Sequence, residues 1–453
     1  MRIVLSGGGE ISFLLTRELS AQHDLFVIEP DPLLCERFQE LDVQVVRGVA
    51  TNLDILQQAE VAKADFFIGC AHSDEVNIIS CLAAKQLGKA RTVCFVNKEH
   101  YFETFKGGLG ANLTIDCILW PEKLLAEDIA RIITVPGAVD VEVVEKDMLK
   151  LIEFKLGDNH PDVGKPLREL DLPKGTLMVA LVREHEVFIP SGATQLAAWD
   201  KVVFFGTENG MRQLVNRYDP PRRGKQEVII VGGGNVGTLL AENLEDMDNV
   251  EVRLIEVSPE RAQNLAARLS KTMVLNADAT DLDFLATQQL HECDCLISLA
   301  TGDERNLLLS LMARQLKARK IITRVASPRN QPLFERVGVD VALTSRLAAI
   351  RIIVLMINSQ GMNVLNVIEG GKAEVLEIQV PPGFTTCLLK DMKLPEGVII
   401  GAIRRGAHVV VPHGDDEVKA GDFLRAFCKA GHDNELRQLL SDAPASAAKT
   451  ATA

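Results

Sequence analysis

The feature that most constrains the fold of this chain is an internal duplication. A glycine-rich stretch near the start, "LSGGGEIS", returns later as "VGGGNVG", so that Gly7 and Gly232 lie 225 residues apart. A second pair of matching stretches, "LPKGTLMVALV" and "LPEGVIIGAIR", contains Pro173 and Pro395, which lie 222 residues apart. Because separate stretches repeat in the same order at nearly the same spacing, the chain consists of two copies of one unit.

Each copy has a front part and a back part with different patterns. The front parts alternate short apolar strands with helical segments, which is typical of a parallel sheet covered by helices on both faces. The back parts contain alternating strands and glycine turns, as in "TLMVALVREHEVFIP", and this pattern predicts small α+β domains. The predicted fold class is therefore α/β, with duplicated Rossmann-like parallel-sheet domains, each followed by a small α+β C-terminal domain.

Changes of composition along the chain predict its domain boundaries. The stretch "YDPPRRGKQ", from Tyr218 to Gln226, predicts a linker between the copies, and the small polar residues from Ser441 onward predict a disordered tail. The predicted divisions are a first Rossmann-like nucleotide-binding domain at 1–120, a first small α+β domain at 135–218, a second Rossmann-like nucleotide-binding domain at 225–345, a second small α+β domain at 365–440, and the tail at 441–453.

Composition and charge narrow the function classes. The 453 residues are 47% hydrophobic and carry a formal net charge of -13, which fits a globular protein of several domains. Nucleic-acid binding relies on a basic face and stacking aromatic side chains. Since only 5% of the residues are aromatic, we expect no nucleic-acid partner. The nine cysteines lie mostly in apolar runs without zinc-site spacing, which predicts buried thiols in a reducing cytoplasm.

No stretch of the sequence predicts a transmembrane segment. The apolar run "LAAIRIIVLMI" is interrupted by Arg351, whereas a membrane span needs roughly 18 uninterrupted apolar residues. The first strand pattern begins at Arg2, so we expect no signal peptide.

The second glycine stretch predicts a nucleotide-binding loop. Gly232, Gly234 and Gly237 form G-x-G-x-x-G between the strand-like run "EVIIV" and an amphipathic segment. The first glycine permits a tight turn, the second lets backbone N–H groups approach a pyrophosphate, and the third lets the helix pack on the strand. Glu256, 19 residues after Gly237, is placed to accept the adenosine ribose hydroxyls and to repel a 2′-phosphate. NAD or NADH is therefore favoured over NADP(H), and ATP or ADP stays open because it presents the same ribose.

The first copy departs from this fingerprint. Gly7, Gly9 and Glu29 match two glycines and the acid, but Ser12 stands in place of the third glycine. Ser12 adds a hydroxymethyl group where close packing of the helix is expected. Glu10 follows the second glycine and places a negative charge near the expected phosphate position.

Two further positions differ between the copies. In the second copy, Asp278 of "NADAT" is placed to reach the adenine or its ribose, and Arg324 is a candidate cation for the phosphates. The first copy has Val49 and Phe95 at the corresponding positions. These changes predict that the first site is weakened, altered in its ligand, or vestigial.

The sequence does not indicate catalysis. A dehydrogenase needs a residue that exchanges a proton beside the nicotinamide, but Tyr-x-x-x-Lys is absent, because Phe105 follows Tyr101 and Arg222 follows Tyr218 at that spacing. The histidines occur singly, and G-x-S-x-G, H-E-x-x-H and a Walker lysine are absent. We expect no enzyme activity, no catalytic residues and no metal site. An NAD-dependent oxidoreductase is the alternative of that class.

Taken together, these motifs resemble the TrkA family of potassium uptake proteins, in which regulator-of-potassium-conductance (RCK) N and C domains occur in two pairs. The resemblance is carried by the duplicated glycine loop, the acid at the end of the second strand, "SDEVN" and "GDERN", "NADAT", and the "LPKG" and "LPEG" segments. It covers the chain up to the tail.

The resemblance implies a function and partners. Such a chain is a cytoplasmic nucleotide-sensing subunit, peripheral to the inner face of the cell membrane, and it regulates a membrane potassium-translocating subunit (TrkH/TrkG-like). NAD(H) or ATP/ADP changes the shape of a ring of Rossmann lobes, for which we expect a homotetramer. A ligand-sensing regulator of another cation transporter is the alternative.

The resemblance also implies site residues. In the second copy these are Gly232, Gly234, Asn235, Val236, Gly237, Glu256, Asp278 and Arg324. In the first copy the counterparts are Gly7, Gly9, Glu10, Ile11 and Glu29. Ser12, Val49 and Phe95 depart from the family pattern, which leaves ligand choice at the first site open.

Overall fold

The computed structural model describes nine segments of the chain, which divide between two compact units. The segments are 1–106, 114–145, 149–184, 186–220, 224–358, 363–368, 372–406, 408–429 and 432–442. One unit comprises Met1–Glu127 and Glu227–Val354, and the other comprises Asp128–Gln226 and Leu355–Ala453. The first unit therefore contains the front parts of both copies, and the second unit contains both back parts.

The first Rossmann-like domain is a six-stranded parallel sheet with helices between its strands. Its elements are β1 (Arg2–Ser6), α1 (Glu10–Leu19), β2 (Asp24–Glu29), α2 (Pro32–Glu36), β3 (Gln44–Arg47), α3 (Leu53–Gln58), β4 (Phe66–Gly69), α4 (Asp74–Leu87), β5 (Arg91–Phe95), α5 (Glu99–Thr104) and β6 (Cys117–Leu119). The strand order is β3-β2-β1-β4-β5-β6, and neighbouring strands are parallel. The central strand is fully buried at Ile3, Val4 and Leu5, because helices cover both faces.

The second Rossmann-like domain repeats this arrangement. Its elements are β12 (Gln226–Val231), α8 (Asn235–Glu245), β13 (Val250–Glu256), α9 (Pro259–Arg268), β14 (Met273–Asn276), α10 (Leu282–Thr287), β15 (Cys295–Ser298), α11 (Asp303–Gln315), β16 (Ile321–Arg324), α12 (Gln331–Arg336) and β17 (Val341–Leu343). The strand order is β14-β13-β12-β15-β16-β17. Both sheets thus have the strand order of dinucleotide-binding domains, and the predicted fold class is confirmed.

The back parts form two small domains, each with a five-stranded antiparallel sheet. The first contains β7 (Ala138–Glu145), β8 (Leu149–Lys155), β9 (Thr176–Arg183), β10 (Glu186–Phe188), β11 (Lys201–Thr207) and α7 (Glu208–Tyr218). The second contains β18 (Asn363–Ile368), β19 (Ala373–Gln379), β20 (Cys387–Leu388), β21 (Val398–Arg405), β22 (His408–Val410), β23 (Glu417–Val418), β24 (Phe423–Lys429) and α14 (Asp433–Asp442). The sheet orders are β10-β9-β11-β8-β7 and β18-β19-β24-β21-β22, and β20 pairs with β23.

Two longer helices follow the last strands of the Rossmann-like sheets. These are α6 (Pro121–Ile133) and α13 (Ser345–Asn358), and short 3-10 turns lie at Val61–Lys63, Leu167–Glu169, Pro328–Asn330 and Leu389–Asp391. Across the segments described above, no helix has both the length and the apolar character needed to cross a bilayer. All nine cysteines are free, and six of them are buried, as the sequence predicts.

A buried aspartate explains a repeated sequence anchor in the small domains. Asp200 and Asp422 are each 1% exposed. Asp200 accepts two 2.7 Å hydrogen bonds from the guanidinium of Arg183, and Asp422 accepts two at 2.7 Å from Arg405. Such bidentate pairs hold two segments in a fixed geometry, so each aspartate fastens its turn to the preceding hairpin.

The two small domains share one apolar cluster. Phe205 and Phe427 pack edge to face, with ring centroids 5.0 Å apart and an interplanar angle of 62°. Val179, Val203 and Ala402 are buried in the same cluster. This packing leaves no space at Gly401, where an added Cβ would lie 2.4 Å from Phe427 Cε2 and 3.1 Å from Phe205 Cδ1.

We therefore predict that Gly401→Ala destabilises the second unit. The methyl group displaces Phe427 from Phe205, and overpacking of this kind costs about 1–3 kcal/mol. The measurement is the free energy of unfolding by chemical denaturation. Gly383→Ala is the matched control, because an added Cβ there meets nothing within 4 Å. Equal stability of the two variants would show that the cluster adapts to the extra methyl group.

The two Rossmann-like domains contact each other through polar side chains. Arg268 at the end of α9 donates a 3.0 Å hydrogen bond to Glu99 of α5. Asn235 at the start of α8 donates a 2.6 Å hydrogen bond to Glu122 of α6. The two copies of the repeat are thus in direct contact within the first unit.

The linker and tail differ in part from their predicted bounds. Tyr218, the predicted first residue of the linker, ends α7 and packs on Phe154, with ring centroids 4.9 Å apart. Burial raises the pKa of its phenol. Arg222 and Arg223 lie outside the described residues, and so do tail residues 443–453, whereas α14 extends through Asp442.

Candidate functional site

The first glycine of each loop makes the turn between strand and helix. Gly7 and Gly232 both have φ of +108°, in the region that favours glycine. An added Cβ would lie 2.6 Å from Ala71 Cα in the first copy and 2.8 Å from the Leu299 carbonyl oxygen in the second. The two loops therefore turn in the same way, against the segment that follows the neighbouring strand.

The third glycine is a close contact in the second copy. A Cβ on Gly237 would lie 2.0 Å from the Gly232 carbonyl oxygen, so only glycine fits without movement of α8. In the first copy, the fully buried Ser12 donates a hydrogen bond to the Gly7 carbonyl and lies 3.0 Å from Cys70 Sγ. The hydroxyl group of Ser12 thus makes a buried hydrogen bond within the first loop, which accommodates the larger residue.

The middle glycines face open space in front of the helices. A Cβ on Gly9 or Gly234 would meet nothing within 4 Å. Each is the N-cap residue of its helix, and no side chain caps α1 or α8 at this position. The N-terminus of a helix attracts anions through its N–H groups and its partial positive charge. The space beside Gly234 is therefore suited to a phosphate.

The acid at the end of the second strand is tied to the glycine loop. Glu256 is 3% exposed and accepts 2.8 Å hydrogen bonds from the N–H groups of Gly233 and Ser258. In the first copy, Glu29 accepts hydrogen bonds from the N–H groups of Gly8 and Asp31. Because a carboxylate has about four lone-pair sites, Glu256 retains acceptors for ribose hydroxyls.

One residue of the second site has no counterpart in the sequence predictions. Arg261 in α9 donates a 3.0 Å hydrogen bond to Glu256 Oε1, and its side chain is 57% exposed. Leu34 stands at the corresponding place in the first copy. The only sequence signal is a cation five residues after the acid. Arg261 offsets part of the charge of Glu256 and adds a cation at the ribose end of the site.

The remaining second-copy residues lie along the carboxyl edge of the parallel sheet. Asp278 follows β14 and accepts hydrogen bonds of 2.9 Å and 2.7 Å from the N–H and hydroxyl of Thr280, which hold the pKa of its carboxyl below the ordinary value. Arg324 ends β16 and is half-buried. The structure places them on opposite sides of the loop, two strands from β12 in each direction.

The corresponding first-copy positions carry no such polar groups. Val49 is 42% exposed after β3, and Phe95 is 3% exposed at the end of β5. The pairing of Phe95 with Arg324 is supported by equivalent hydrogen bonds of 3.0 Å, in which Asn77 and Asn306 donate to their respective carbonyls. The first sheet edge thus lacks both the acid and the cation of the second.

The Asp-Glu-x-Asn elements shape this edge. Asp303 accepts 2.7 Å hydrogen bonds from the Ala326 N–H and the Asn330 amide. Asp74 is 2% exposed and accepts a 3.0 Å hydrogen bond from the Lys98 N–H. These side chains fasten the start of one helix to the loop after the next strand, so they position the site from behind.

The residues after the middle glycines differ in charge. Glu10 begins α1 and lies 3.5 Å from Arg37, and Ile11 beside it is half-buried. Asn235 begins α8, and Val236 is 2% exposed. A buried Val236 side chain leaves its backbone N–H as its means of contacting a phosphate.

The chain matches two domain families over both copies. TrkA-N domains match residues 3–116 and 228–345, and TrkA-C domains match residues 151–218 and 388–441. These matches follow the two Rossmann-like sheets and much of the two small domains.

Full-length relatives share this arrangement. The chain is 34% identical over 443 residues to the Trk system potassium uptake protein TrkA homolog of Archaeoglobus fulgidus, covering 97% of this chain and 100% of the relative. It is 30% identical over 447 residues to homolog 1 of Methanosarcina mazei, covering 97% and 99%.

Solved structures share the fold. The GsuK RCK domain aligns with a TM-score of 0.63 at 19% identity, covering 97% of this chain and 95% of that one. The GsuK channel bound to NAD gives the same TM-score and identity, covering 97% and 79%. The fold and the paired glycine loops define a duplicated RCK-domain protein. Within that class, the chain belongs to the family of Trk system potassium uptake protein TrkA.

Proposed function

We propose that this chain is the nucleotide-sensing regulatory subunit of a potassium uptake system. The observation that carries the proposal is the second glycine loop, where the uncapped start of α8 lies behind Gly234 and the loop is hydrogen-bonded to Glu256. A pyrophosphate fits the first feature and an adenosine ribose fits the second. The ligand is NAD or NADH, or else ATP or ADP, which presents the same ribose.

The names of the relatives support a role in potassium uptake. The proposed partner is a membrane potassium-translocating subunit of the TrkH/TrkG type, with this chain bound at the cytoplasmic face as a homotetrameric ring. The proposed chain is a regulator and not an enzyme, and its ligand site has no catalytic task.

Differential binding supplies the mechanism. A nucleotide shifts a ring between two shapes only by the difference in its affinity for them. Moving a two-state ring from about 1:99 to about 99:1 takes about 5.5 kcal/mol. A tenfold preference supplies about 1.4 kcal/mol per site, so four second-copy sites in a tetramer are sufficient.

The test combines binding and transport. NADH, NAD, ADP and ATP are titrated separately into the full chain by calorimetry, and the chain is then reconstituted with the potassium-translocating subunit encoded beside it. We expect saturable binding of at least one nucleotide and a change in potassium flux at the same nucleotide concentrations. Binding without any association with the membrane subunit would favour the regulator of another transporter. A substrate-dependent change in nicotinamide absorbance would favour the oxidoreductase.

A further inference from the structure

A carboxylate from the first copy lies at the start of the second nucleotide-binding helix. Glu122, the second residue of α6, accepts a 2.6 Å hydrogen bond from the amide nitrogen of Asn235, the first residue of α8. The two residues are 113 positions apart in the chain. The second site is therefore bordered by a side chain from the other copy.

The charge of Glu122 has no paired cation among the described residues. Its neighbour Lys123 lies 3.8 Å from Glu127 and 5.6 Å from the centroid of the Phe102 ring. The partial positive charge at the start of α8 favours a carboxylate at this position, for the same reason that it favours a phosphate. Glu122 therefore occupies the electrostatic environment that a ligand phosphate would use.

The first copy has a comparable arrangement built differently. There the carboxylate is Glu10, on the first residue of α1 itself, and it is paired with Arg37 at 3.5 Å. In the second copy the first helical residue is neutral, and the carboxylate is supplied by Glu122 without such a cation. A negative charge thus lies at the start of the helix after each glycine loop.

We propose that Glu122 sets the charge selectivity of the second site, a role that rests on the proposed nucleotide binding. Repulsion between like charges grows with the charge on the ligand. The terminal phosphates of ATP carry more negative charge than the pyrophosphate diester of NADH. Glu122 therefore weakens the binding of ATP more than that of NADH, and the site selects the dinucleotide.

The test is Glu122→Gln in the full chain. Glutamine keeps an oxygen that accepts the Asn235 hydrogen bond and removes only the charge. NADH, ADP and ATP are titrated into wild type and variant by calorimetry at low and high salt. At low salt we expect NADH to bind on the order of threefold tighter and ATP on the order of tenfold tighter. High salt reduces both differences, because it screens exposed charges.

Glu127→Gln is the matched control. It removes the same charge from the same helix, but Glu127 lies beside Lys123 and is not a partner of Asn235. We expect it to leave the ratio of ATP to NADH affinities unchanged. Glu122→Ala serves as a second variant and is expected to show the same order of gains. Melting temperatures of the unliganded variants verify that each is folded.

The outcomes separate this inference from the proposed function. If wild type binds nucleotide and Glu122→Gln leaves the affinity ratio unchanged, the selectivity role is wrong and the nucleotide function stands. An equal gain in Glu127→Gln would assign the effect to net charge and overturn the role of Glu122. If wild type and both glutamine variants bind no nucleotide, the proposed function and this inference fail together.

Discussion

We expect Gly234→Asp to abolish nucleotide binding at the second site and to leave the unliganded fold intact. An added Cβ at Gly234 meets nothing within 4 Å, and its φ of -74° is available to any residue. The new carboxylate, however, lies at the start of α8, where it fills the phosphate position and repels an anion. We expect an affinity loss of at least about 100-fold, or about 2.7 kcal/mol.

Calorimetric titration of NADH and ATP into the full chain measures this loss. The melting temperature is expected to stay within about 2 °C of wild type, because surface substitutions usually change stability by less than about 0.5 kcal/mol. Gly234→Ala tests the steric part of the effect without the charge. Gly9→Asp is the counterpart at the first loop, where an added Cβ also meets nothing within 4 Å. Binding that survives Gly234→Asp and is lost in Gly9→Asp would identify the first loop as the ligand site.

The second large effect is expected from Gly237→Ala, which acts on stability. Its Cβ would lie 2.0 Å from the Gly232 carbonyl oxygen, which belongs to the backbone and cannot rotate away. Helix α8 must therefore shift on β12, and we expect a loss of about 3 kcal/mol in the free energy of unfolding. The melting transition of the first unit is expected to fall by roughly 10 °C, as measured by scanning calorimetry.

The first copy offers a control for this prediction. Ser12→Gly removes a buried hydroxyl that donates to the Gly7 carbonyl, which costs about 1–2 kcal/mol through the lost hydrogen bond and the added freedom of glycine. The two substitutions are opposite in direction, yet both are expected to destabilise, because each loop fits its own residue. A Gly237→Ala variant that melts with wild type would show that the second loop widens freely.

Full-length variants suit these tests better than separated halves. Each compact unit combines segments from both copies of the repeat. A cut in the linker between the copies would divide both units, and loss of binding in a fragment would then report unfolding as readily as a missing site.

The sequence predicts the fold of each domain because the relevant signals are local. Strand and helix periodicity, the glycines at residues 7 and 232, and the acids at residues 29 and 256 all lie within one strand–helix–strand segment. Such signals specify a parallel sheet and its loop without knowledge of the rest of the chain.

The contacts between copies were beyond sequence reasoning. Glu122 and Asn235 are 113 residues apart, and no spacing rule connects a residue after the sixth strand with a loop in the other copy. Arg261 is closer to its partner, but an exposed arginine in a helix is usually solvated. The pairing of the front parts into one unit depends on surface complementarity, which periodicity does not encode.

The sharing of both compact units between the two copies constrains how the chain can change over evolution. After a gene duplicates internally, either copy is ordinarily free to decay once the other performs its task. Here each copy supplies surfaces that the other needs, so the first copy is retained as a scaffold even if its ligand is lost. The buried Ser12 hydrogen bond and the Glu10–Arg37 pair are the kind of replacement that such selection permits.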